Sequence, residues 1–209
     1  MTRRALVFDV GGVLVQWRPL ELMRAHFGAL AADEAGAKAV MAQVFQTLSP
    51  EADWGAFDRG HIEPDALADR IAVRTGYPLA SVQALIGAIP QHLQPMSDSV
   101  ALLERVRAAG HSLGLLSNMP KSYAAHLERS HACFAWFEHR SWSGRLGVMK
   151  PQREIFDHTR DAMGLDVSQA LFIDDHLGNI HAARALGWQA LHFQSAEQCA
   201  ADLAAKGWL

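Results

Sequence analysis

Acidic residues follow two short apolar segments of the chain, an arrangement that could support nucleophilic attack beside a metal ion. Asp9 comes directly after Ala5–Phe8, and Asp174 and Asp175 come directly after Ala170–Ile173. A carboxylate can attack phosphorus to form an aspartyl-phosphate, which divides one difficult displacement into two easier steps. Because a carboxylate and a phosphate dianion repel each other, such a site needs positive charge close by. Mg²⁺ held by oxygen ligands would supply it.

Further residues of suitable type could bind a phosphoryl group. Ser117 and Asn118 follow the apolar segment Ser112–Leu116, and the Ser117 hydroxyl and the Asn118 amide could donate hydrogen bonds to phosphoryl oxygens. Lys150 would add a second positive charge. Pro151, which follows it, is predicted to be the first residue of a helix. A helix start directs free amide groups toward an anion.

Three more residues complete the predicted site. The main-chain carbonyl of Gly11 is expected to join the three aspartates as a metal ligand. Gly12 would let the backbone approach the substrate without a side chain in the way. Asn179, one turn into the following helix, is predicted to orient Asp174 or Asp175.

The elements that must position these residues alternate between strands and helices. Strands are predicted at Ala5–Phe8, Ser112–Leu116, Ala170–Ile173 and Gln189–Phe193. Helices are predicted at Asp98–Ala109, Lys121–His131, Gln152–Met163, Leu177–Leu186 and Ala196–Lys206. This alternation predicts an α/β fold whose parallel sheet is covered on both faces. Ligand sites in such sheets lie outside the carboxyl ends of the strands, so the polar strand ends are expected to meet in one crevice.

The stretch from residue 16 to residue 90 breaks the alternation. Helices are predicted there at Leu20–Leu30, Glu34–Leu48, Asp65–Thr75 and Leu79–Ala88, and no strand is expected. Its aromatic residues, including Trp54 and Phe57, are expected to form a core of their own rather than a ligand cage. We therefore predict a helical insertion after the first strand.

The domain boundaries follow from this insertion. Residues 1–15 and 91–209 are predicted to form the catalytic core, and residues 16–90 a separate small unit. Pro90 and Pro95 are expected to punctuate the return to the sheet, where a hinge or linker would lie.

Composition favours small-molecule chemistry. The 209 residues include 19 basic and 22 acidic side chains, for a formal charge of -3. This balance lacks the basic excess that binding to nucleic acid or anionic membranes would favour. Cys133 and Cys199 have no C-x-x-C spacing, so neither a zinc knuckle nor a disulfide framework is expected, and a reducing cytoplasm fits. The oligomeric state is left open.

The beginning of the chain superficially resembles a signal peptide. Arg3 and Arg4 precede an apolar run from Ala5 to Val15, but Asp9 interrupts that run. A membrane-spanning helix needs about 18 or more uninterrupted apolar residues. We therefore expect neither export nor membrane insertion.

Four segments, in order, resemble the signature motifs of the haloacid dehalogenase superfamily. They are Phe-Asp-Val-Gly-Gly-Val-Leu at 8–14, Leu-Leu-Ser-Asn at 115–118, Lys150-Pro151, and Phe-Ile-Asp-Asp at 172–175. The resemblance spans nearly the whole chain. It implies a Rossmann-like core with a mobile helical-bundle cap that supplies substrate selectivity.

The same resemblance implies a function. It implies a Mg²⁺-dependent phosphatase that acts on a small-molecule phosphomonoester, with Asp9 as nucleophile and with Ser117 and Lys150 acting on the phosphoryl group. A subgroup with an Asp-x-Gly-Gly/Asn-Val first motif is similar and includes bacterial phosphatases of sugar 1-phosphates. A sugar phosphate is therefore one expected substrate.

The chain departs from the superfamily pattern at Gly11. Most phosphatases of the superfamily carry a second aspartate there, which protonates the leaving alcohol and then activates water. General acid–base catalysis contributes about 10²–10⁴-fold to rate. Candidate replacements are His176, beside the predicted metal ligands, and the insertion residues Asp58, His61 and Glu63.

Other functions stay open. A 2-haloacid dehalogenase would use Asp9 to attack carbon without a metal, but the retained Asp174 and Asp175 would repel its carboxylate substrate. A phosphomutase would also need an acid–base group at Gly11. A non-catalytic binding or regulatory protein would keep the fold and the metal site, and the missing acid is the observation that favours it.

Overall fold

Five parallel strands form the centre of the protein, in the spatial order β3-β2-β1-β4-β5. The computed structural model describes residues 4–46 and 49–209. The strands are β1 (Ala5–Phe8), β2 (Ser112–Ser117), β3 (His139–Trp142), β4 (Ala170–Asp174) and β5 (Gln189–His192). In the central strand, Phe8 is paired with Leu115 on one side and Ile173 on the other. The carboxyl ends of β1, β2 and β4 therefore lie side by side.

The predicted α/β fold is confirmed, with one strand added. β1, β2, β4 and β5 match their predictions to within one residue at each end. The added strand is β3, whose His139 and Arg140 are polar and partly exposed at the edge of the sheet. No continuous apolar run marks such a strand.

Helices cover both faces of the sheet. On one face, Val7 and Phe172 pack with Phe156 and Ile180, and on the other Phe8 belongs to a larger cluster that continues into the insertion. Within the described residues, the stretch 16–90 contains α1 (Pro19–Phe27), α2 (Glu34–Phe45), α3 (Asp53–Asp58), α4 (Pro64–Thr75) and α5 (Leu79–His92). The later helices are α6 (Ser97–Ala108), α7 (Lys121–Ser130), α8 (Ser143–Leu146), α9 (Arg153–Met163), α10 (Leu177–Ala185) and α11 (Ala196–Ala205).

The helices of the insertion differ from their predictions in three places. The short helix α3 is not predicted, and the end of the predicted segment Glu34–Leu48 lies outside the described residues. The expectation that Pro90 punctuates the chain is wrong, because α5 continues through it to His92.

Pro90 is tolerated inside α5 for a visible reason. Proline has no amide hydrogen, so the carbonyl of Ile86, four residues earlier, loses its usual partner in the helix. That carbonyl accepts a hydrogen bond from the Tyr123 hydroxyl of α7 at 2.7 Å. The bond links the insertion to a helix that follows β2.

The two connections to the insertion run next to each other. The amide of Gln16 donates to the carbonyl of Gln94 at 2.8 Å, and the amide of Met96 donates to the carbonyl of Leu14 at 2.9 Å. Val15 and Pro95 form an antiparallel bridge between these bonds. Within residues 4–46 and 49–209, none of the helices has both the length and the apolar character needed to cross a bilayer.

Candidate active site

Three carboxylates meet at the ends of β1 and β4. Oxygens of Asp9, Asp174 and Asp175 lie within 4.8 Å of one another. The Asp9 amide donates to the carbonyl of Ile173 at 2.8 Å, which extends the pairing of β1 with β4 up to the carboxylate cluster. Asp174 is fully buried and Asp9 is 7% exposed. The structure thus brings together Asp9 and Asp174, which lie 165 residues apart in the chain.

Lys150 lies among these carboxylates. Its Nζ is 2.7 Å from Asp9 Oδ1 and 2.6 Å from Asp174 Oδ2. The lysine is 2% exposed, and a buried cation is tolerated only when it is paired. Burial disfavours the charge, but Asp174 and Asp9 outweigh it and raise the pKa of Lys150. Lys150 therefore remains positively charged inside the site.

Asn118 fixes the backbone on both sides of the Lys150 side chain. Its Nδ2 donates to the carbonyl of Lys150 at 2.9 Å, and its Oδ1 accepts from the Lys150 amide at 2.7 Å. Asn118 is predicted from the sequence to bind the substrate through its amide, whereas the structure shows its side chain binding the Lys150 backbone. The prediction that Pro151 starts a helix is wrong, since α9 begins at Arg153 after a turn.

Asp174 is held from several directions. Asn179 Nδ2 lies 3.1 Å from each of its oxygens, and the His176 amide donates to Oδ1 at 2.8 Å. Together with Lys150, these donors satisfy both oxygens of Asp174. Asp9 and Asp175, by contrast, line the neighbouring cavity. Of the two predicted partners of Asn179, the structure therefore shows contact with Asp174. Asp174 is not among the residues that line the cavity.

The cluster contains more negative charge than Lys150 can balance. Burial raises the pKa of Asp9 to about 7, with Asp174 and Asp175 acting in the same direction and Lys150 opposing them. Burial and the neighbouring Asp174 also raise the pKa of Asp175. These shifts mean that the site binds protons or cations readily.

The two glycines after Val10 have different surroundings. Gly12 has a positive φ of 75°, and a Cβ there would overlap the carboxylate of Asp175. The space beside Gly12, which was expected to admit the substrate, is thus occupied by the carboxylate of Asp175, a predicted metal ligand. A Cβ at Gly11 would meet no atom within 4 Å, so sterics do not exclude an acid at that position.

A cavity of about 470 Å³ adjoins the cluster, within the range of about 300–1,000 Å³ that is usual for small-molecule sites. Its polar end includes Asp9, Gly11, Ser117, Lys150, Asp175 and His176. Its walls are largely aromatic and aliphatic, and include Trp17, Trp54, Ile89, Leu93, Met119 and Tyr123. Trp54 packs against Phe57 in the insertion core, as expected, but it also faces the cavity.

The four candidate replacements for the missing acid lie in different places. Asp58 is 7% exposed and lines the cavity, whereas His176 lines it from an exposed position. His61 and Glu63 are exposed and are not among the residues that line it. Burial raises the pKa of Asp58 to about 8, although Lys150 and a hydrogen bond from Trp54 oppose the shift.

Comparison with known proteins connects this geometry to a family. A family profile described as haloacid dehalogenase-like hydrolase matches residues 3–187. The sesquiterpene phosphatase astK of Aspergillus oryzae is 26% identical over 191 residues, which cover 91% of this chain and 90% of that protein.

Solved structures show the same fold. The HAD family enzyme bt-2542 of Bacteroides thetaiotaomicron, in complex with magnesium and inorganic phosphate, has a TM-score of 0.67 at 20% identity, covering 92% of this chain and 94% of that one. The L-2-haloacid dehalogenase of Xanthobacter autotrophicus, with chloropropionic acid covalently bound, has a TM-score of 0.65 at 16% identity, covering 100% of this chain and 85% of that one. Because a magnesium- and phosphate-bound enzyme and a dehalogenase share this fold, the likeness does not choose between a phosphatase and a dehalogenase.

Proposed function

The chain belongs to the haloacid dehalogenase-like hydrolase family, and on that premise we propose that it is a Mg²⁺-dependent phosphatase of small-molecule phosphomonoesters. The observation that carries the proposal is the cluster of three carboxylates around one buried lysine at the polar end of the cavity. A dehalogenase needs no such excess of acid, because its carboxylate substrate would be repelled by it.

The residues present fit a magnesium ion. Ligand oxygens around one octahedral Mg²⁺ lie up to about 4.2 Å apart, twice the Mg–O distance of about 2.1 Å. The three carboxylates have oxygens within 4.8 Å of one another, so a shift of about half an ångström would bring them to that span. The raised pKa values of Asp9 and Asp175 indicate missing positive charge. The proposed ligands are Asp9, Asp174, Asp175 and the carbonyl of Gly11. The ion would neutralise charge on the phosphoryl oxygens and keep the nucleophile ionised.

The protein's own residues would divide the reaction as follows. An oxygen of Asp9 attacks phosphorus and forms an aspartyl-phosphate, which water then hydrolyses. Lys150 and the Ser117 hydroxyl bind phosphoryl oxygens and stabilise the charge that develops there. Asn118 holds the Lys150 backbone, and Asn179 holds Asp174.

We propose an apolar group on the substrate alcohol. Asp58 is the one titratable residue that the described part of the insertion contributes to the cavity lining, and most of the insertion's other lining residues are aromatic or aliphatic. Such walls bind hydrocarbon by excluding water and offer few partners for sugar hydroxyls. The name of the sesquiterpene phosphatase relative supports the same class. Sugar 1-phosphates, suggested by the sequence resemblance, stay a prediction.

We also propose that the chain divides into a catalytic core and a helical cap, for which the sequence indicates residues 1–15 with 91–209 and residues 16–90, although the last cap helix, α5, continues to His92. The adjacent connections at Gln16 and Gln94 support this division, since the chain enters and leaves the insertion at the same place. A cytoplasmic location and the absence of a nucleic-acid partner stay predictions.

Phosphate release tests the proposal. The substrates are decyl phosphate, glucose 1-phosphate and 4-nitrophenyl phosphate, each with and without Mg²⁺. Magnesium-dependent release that is lost in Asp9→Asn and kept in Asp161→Asn, an exposed acid on α9, would support a phosphatase. Chloride release from 2-chloropropionate without Mg²⁺ would instead identify a dehalogenase. Metal binding without turnover of any ester would identify a non-catalytic protein.

A further inference from the structure

Hydrolysis of an alkyl phosphate requires a proton for the leaving alkoxide, and the residue two positions after Asp9 cannot supply it because it is Gly11. The donor must therefore come from elsewhere in the cavity. It must be protonated near neutral pH, free to give up its proton, and on the substrate side of the carboxylate cluster.

We infer that Asp58, at the end of α3, is the general acid that protonates the leaving alcohol and the general base that then activates water. This inference rests on the proposed phosphatase function. Asp58 and Asp9 line the same cavity, the former from the insertion and the latter from the sheet. A phosphate ester held at Asp9 would direct its alcohol part toward the insertion, where Asp58 is the available carboxyl group.

The end of α3 is fixed against the core. The Ser143 hydroxyl donates to the backbone carbonyl of Asp58 at 2.6 Å and accepts from the Met119 amide at 2.8 Å. Two residues later, a Cβ at Gly60 would overlap the carbonyl of Gly144, so glycine is needed for this close approach. These contacts connect Asp58 to the segment that follows β2, and so to the phosphate-binding end of the cavity.

The surroundings of Asp58 favour its protonated form. It is 7% exposed, and burial raises its pKa to about 8, so the carboxyl group carries its proton at neutral pH. Lys150 is the titratable side chain that opposes this shift, and Tyr123 is a titratable neighbour whose own pKa the Asp58 charge would raise. The Tyr123 hydroxyl donates to Ile86, and burial raises its own pKa further, so it is a poor alternative donor.

The proton balance closes over the two steps. First, Asp9 forms a bond to phosphorus, the bond from phosphorus to the alcohol oxygen breaks, and Asp58 gives its proton to that oxygen. Asp58 is then a carboxylate and takes a proton from water as the water oxygen attacks the aspartyl-phosphate. The bond from phosphorus to Asp9 breaks, inorganic phosphate leaves, and both acids return to their starting forms.

The rival donor is His176. It lines the cavity from an exposed position, and its backbone amide is bonded to Asp174. A proton from its ring could reach the same oxygen, so it must be tested beside Asp58.

The deciding experiment compares two leaving groups in Asp58→Asn. The leaving group of 4-nitrophenyl phosphate departs without a proton, whereas that of decyl phosphate requires one. We measure kcat/KM, which covers only the steps up to formation of the aspartyl-phosphate. We expect the value for decyl phosphate to fall about 10²–10⁴-fold and the value for the aryl ester to change far less.

Controls separate this role from a structural one. Asp53→Asn, on the same helix but outside the cavity lining, should leave both values unchanged. Asp58→Glu should restore part of the decyl phosphate activity. In wild-type protein, log kcat/KM for decyl phosphate should decrease above pH about 8, and this decrease should be absent in Asp58→Asn.

Three results would overturn the inference: an equal fall for both esters, no fall for either, or the same leaving-group dependence appearing in His176→Gln instead. Wild-type protein that hydrolyses neither ester would overturn the proposed phosphatase function, and this inference with it.

Discussion

The side chain of Asn118 makes two hydrogen bonds with the backbone of Lys150, at 2.9 and 2.7 Å, although the residues are 32 positions apart. The pair joins the end of β2 to the loop before α9. A lysine is flexible, and this pair removes the freedom of its backbone, so that its ammonium group stays between Asp9 and Asp174. The cation of the site is thus positioned from its main chain as well as from its charge partners.

Asn118→Ala should lower the free energy of unfolding by about 1–3 kcal/mol, because it leaves part-buried backbone groups of Lys150 without partners. It should also lower kcat, since Lys150 loses its fixed position. Urea unfolding and phosphate release measure the two effects. A normal kcat in a destabilised variant would show that Lys150 is positioned by its carboxylate partners alone.

Lys150→Met should lower the free energy of unfolding by about 3–5 kcal/mol, because it removes the cation beside the fully buried Asp174. The matched control is Lys38→Met, which removes an exposed ion pair with Glu34 and should change the free energy of unfolding far less. Equal losses in the two variants would contradict the structure.

The raised pKa of Asp58 should appear in the pH dependence of stability. Folded protein keeps the Asp58 proton up to pH about 8, whereas the unfolded chain releases it near the ordinary value of 3.8. Wild-type stability should therefore fall relative to Asp58→Asn as pH rises between these values, by up to about 1.4 kcal/mol per pH unit. Thermal or urea unfolding of both proteins without Mg²⁺ measures this. A constant difference across the range would mean that Asp58 has an ordinary pKa.

An acid placed at Gly11 should rescue the loss of Asp58. A side chain at Gly11 meets no atom within 4 Å, so Gly11→Asp should be accommodated. In the Asp58→Asn background it should restore kcat/KM for decyl phosphate by about 10-fold or more, within the contribution of a general acid. Gly11→Asn in the same background is the control. Equal rates for the two double variants would argue that proton donation is not what Asp58→Asn removes.

The apolar wall can be tested at Trp17, which is half-buried and packs on Phe45 at a centroid distance of 5.7 Å. Trp17→Ala should raise KM for decyl phosphate by about tenfold or more, because contact with one aromatic wall is worth about 1.5 kcal/mol. KM for methyl phosphate should stay the same, since it cannot reach the wall. A similar change in KM for both esters would mean that Trp17 stabilises the fold and does not contact the alkyl chain of the substrate.

Much of the core could be predicted from local patterns. The continuous apolar segments that became β1, β2 and β4 are buried parallel strands. β3 could not be predicted because its first two residues, His139 and Arg140, are polar and leave it without a continuous apolar run. The continuation of α5 through Pro90 could not be predicted either, since the partner of the freed Ile86 carbonyl lies on another helix.

The candidate site shows the same limit. Asp9, Lys150 and the Asp174–Asp175 pair could be named because each follows a recognisable motif. The choice of Asp58 among four replacement acids depends on burial and on which residues share a cavity. Those properties arise only when the insertion packs on the sheet.

Because of the hydrogen bond from Tyr123 to Ile86, α5 and α7 should separate only when water enters between them. Pro90 has no amide hydrogen to donate to the Ile86 carbonyl. If the two helices separated without water, that carbonyl would therefore have no hydrogen-bond partner. A dry intermediate is therefore disfavoured, and the two helices should part and become wet in a single event. The hydrogen bond that Pro90 removes from α5 thus makes the separation of α5 from α7 a single step.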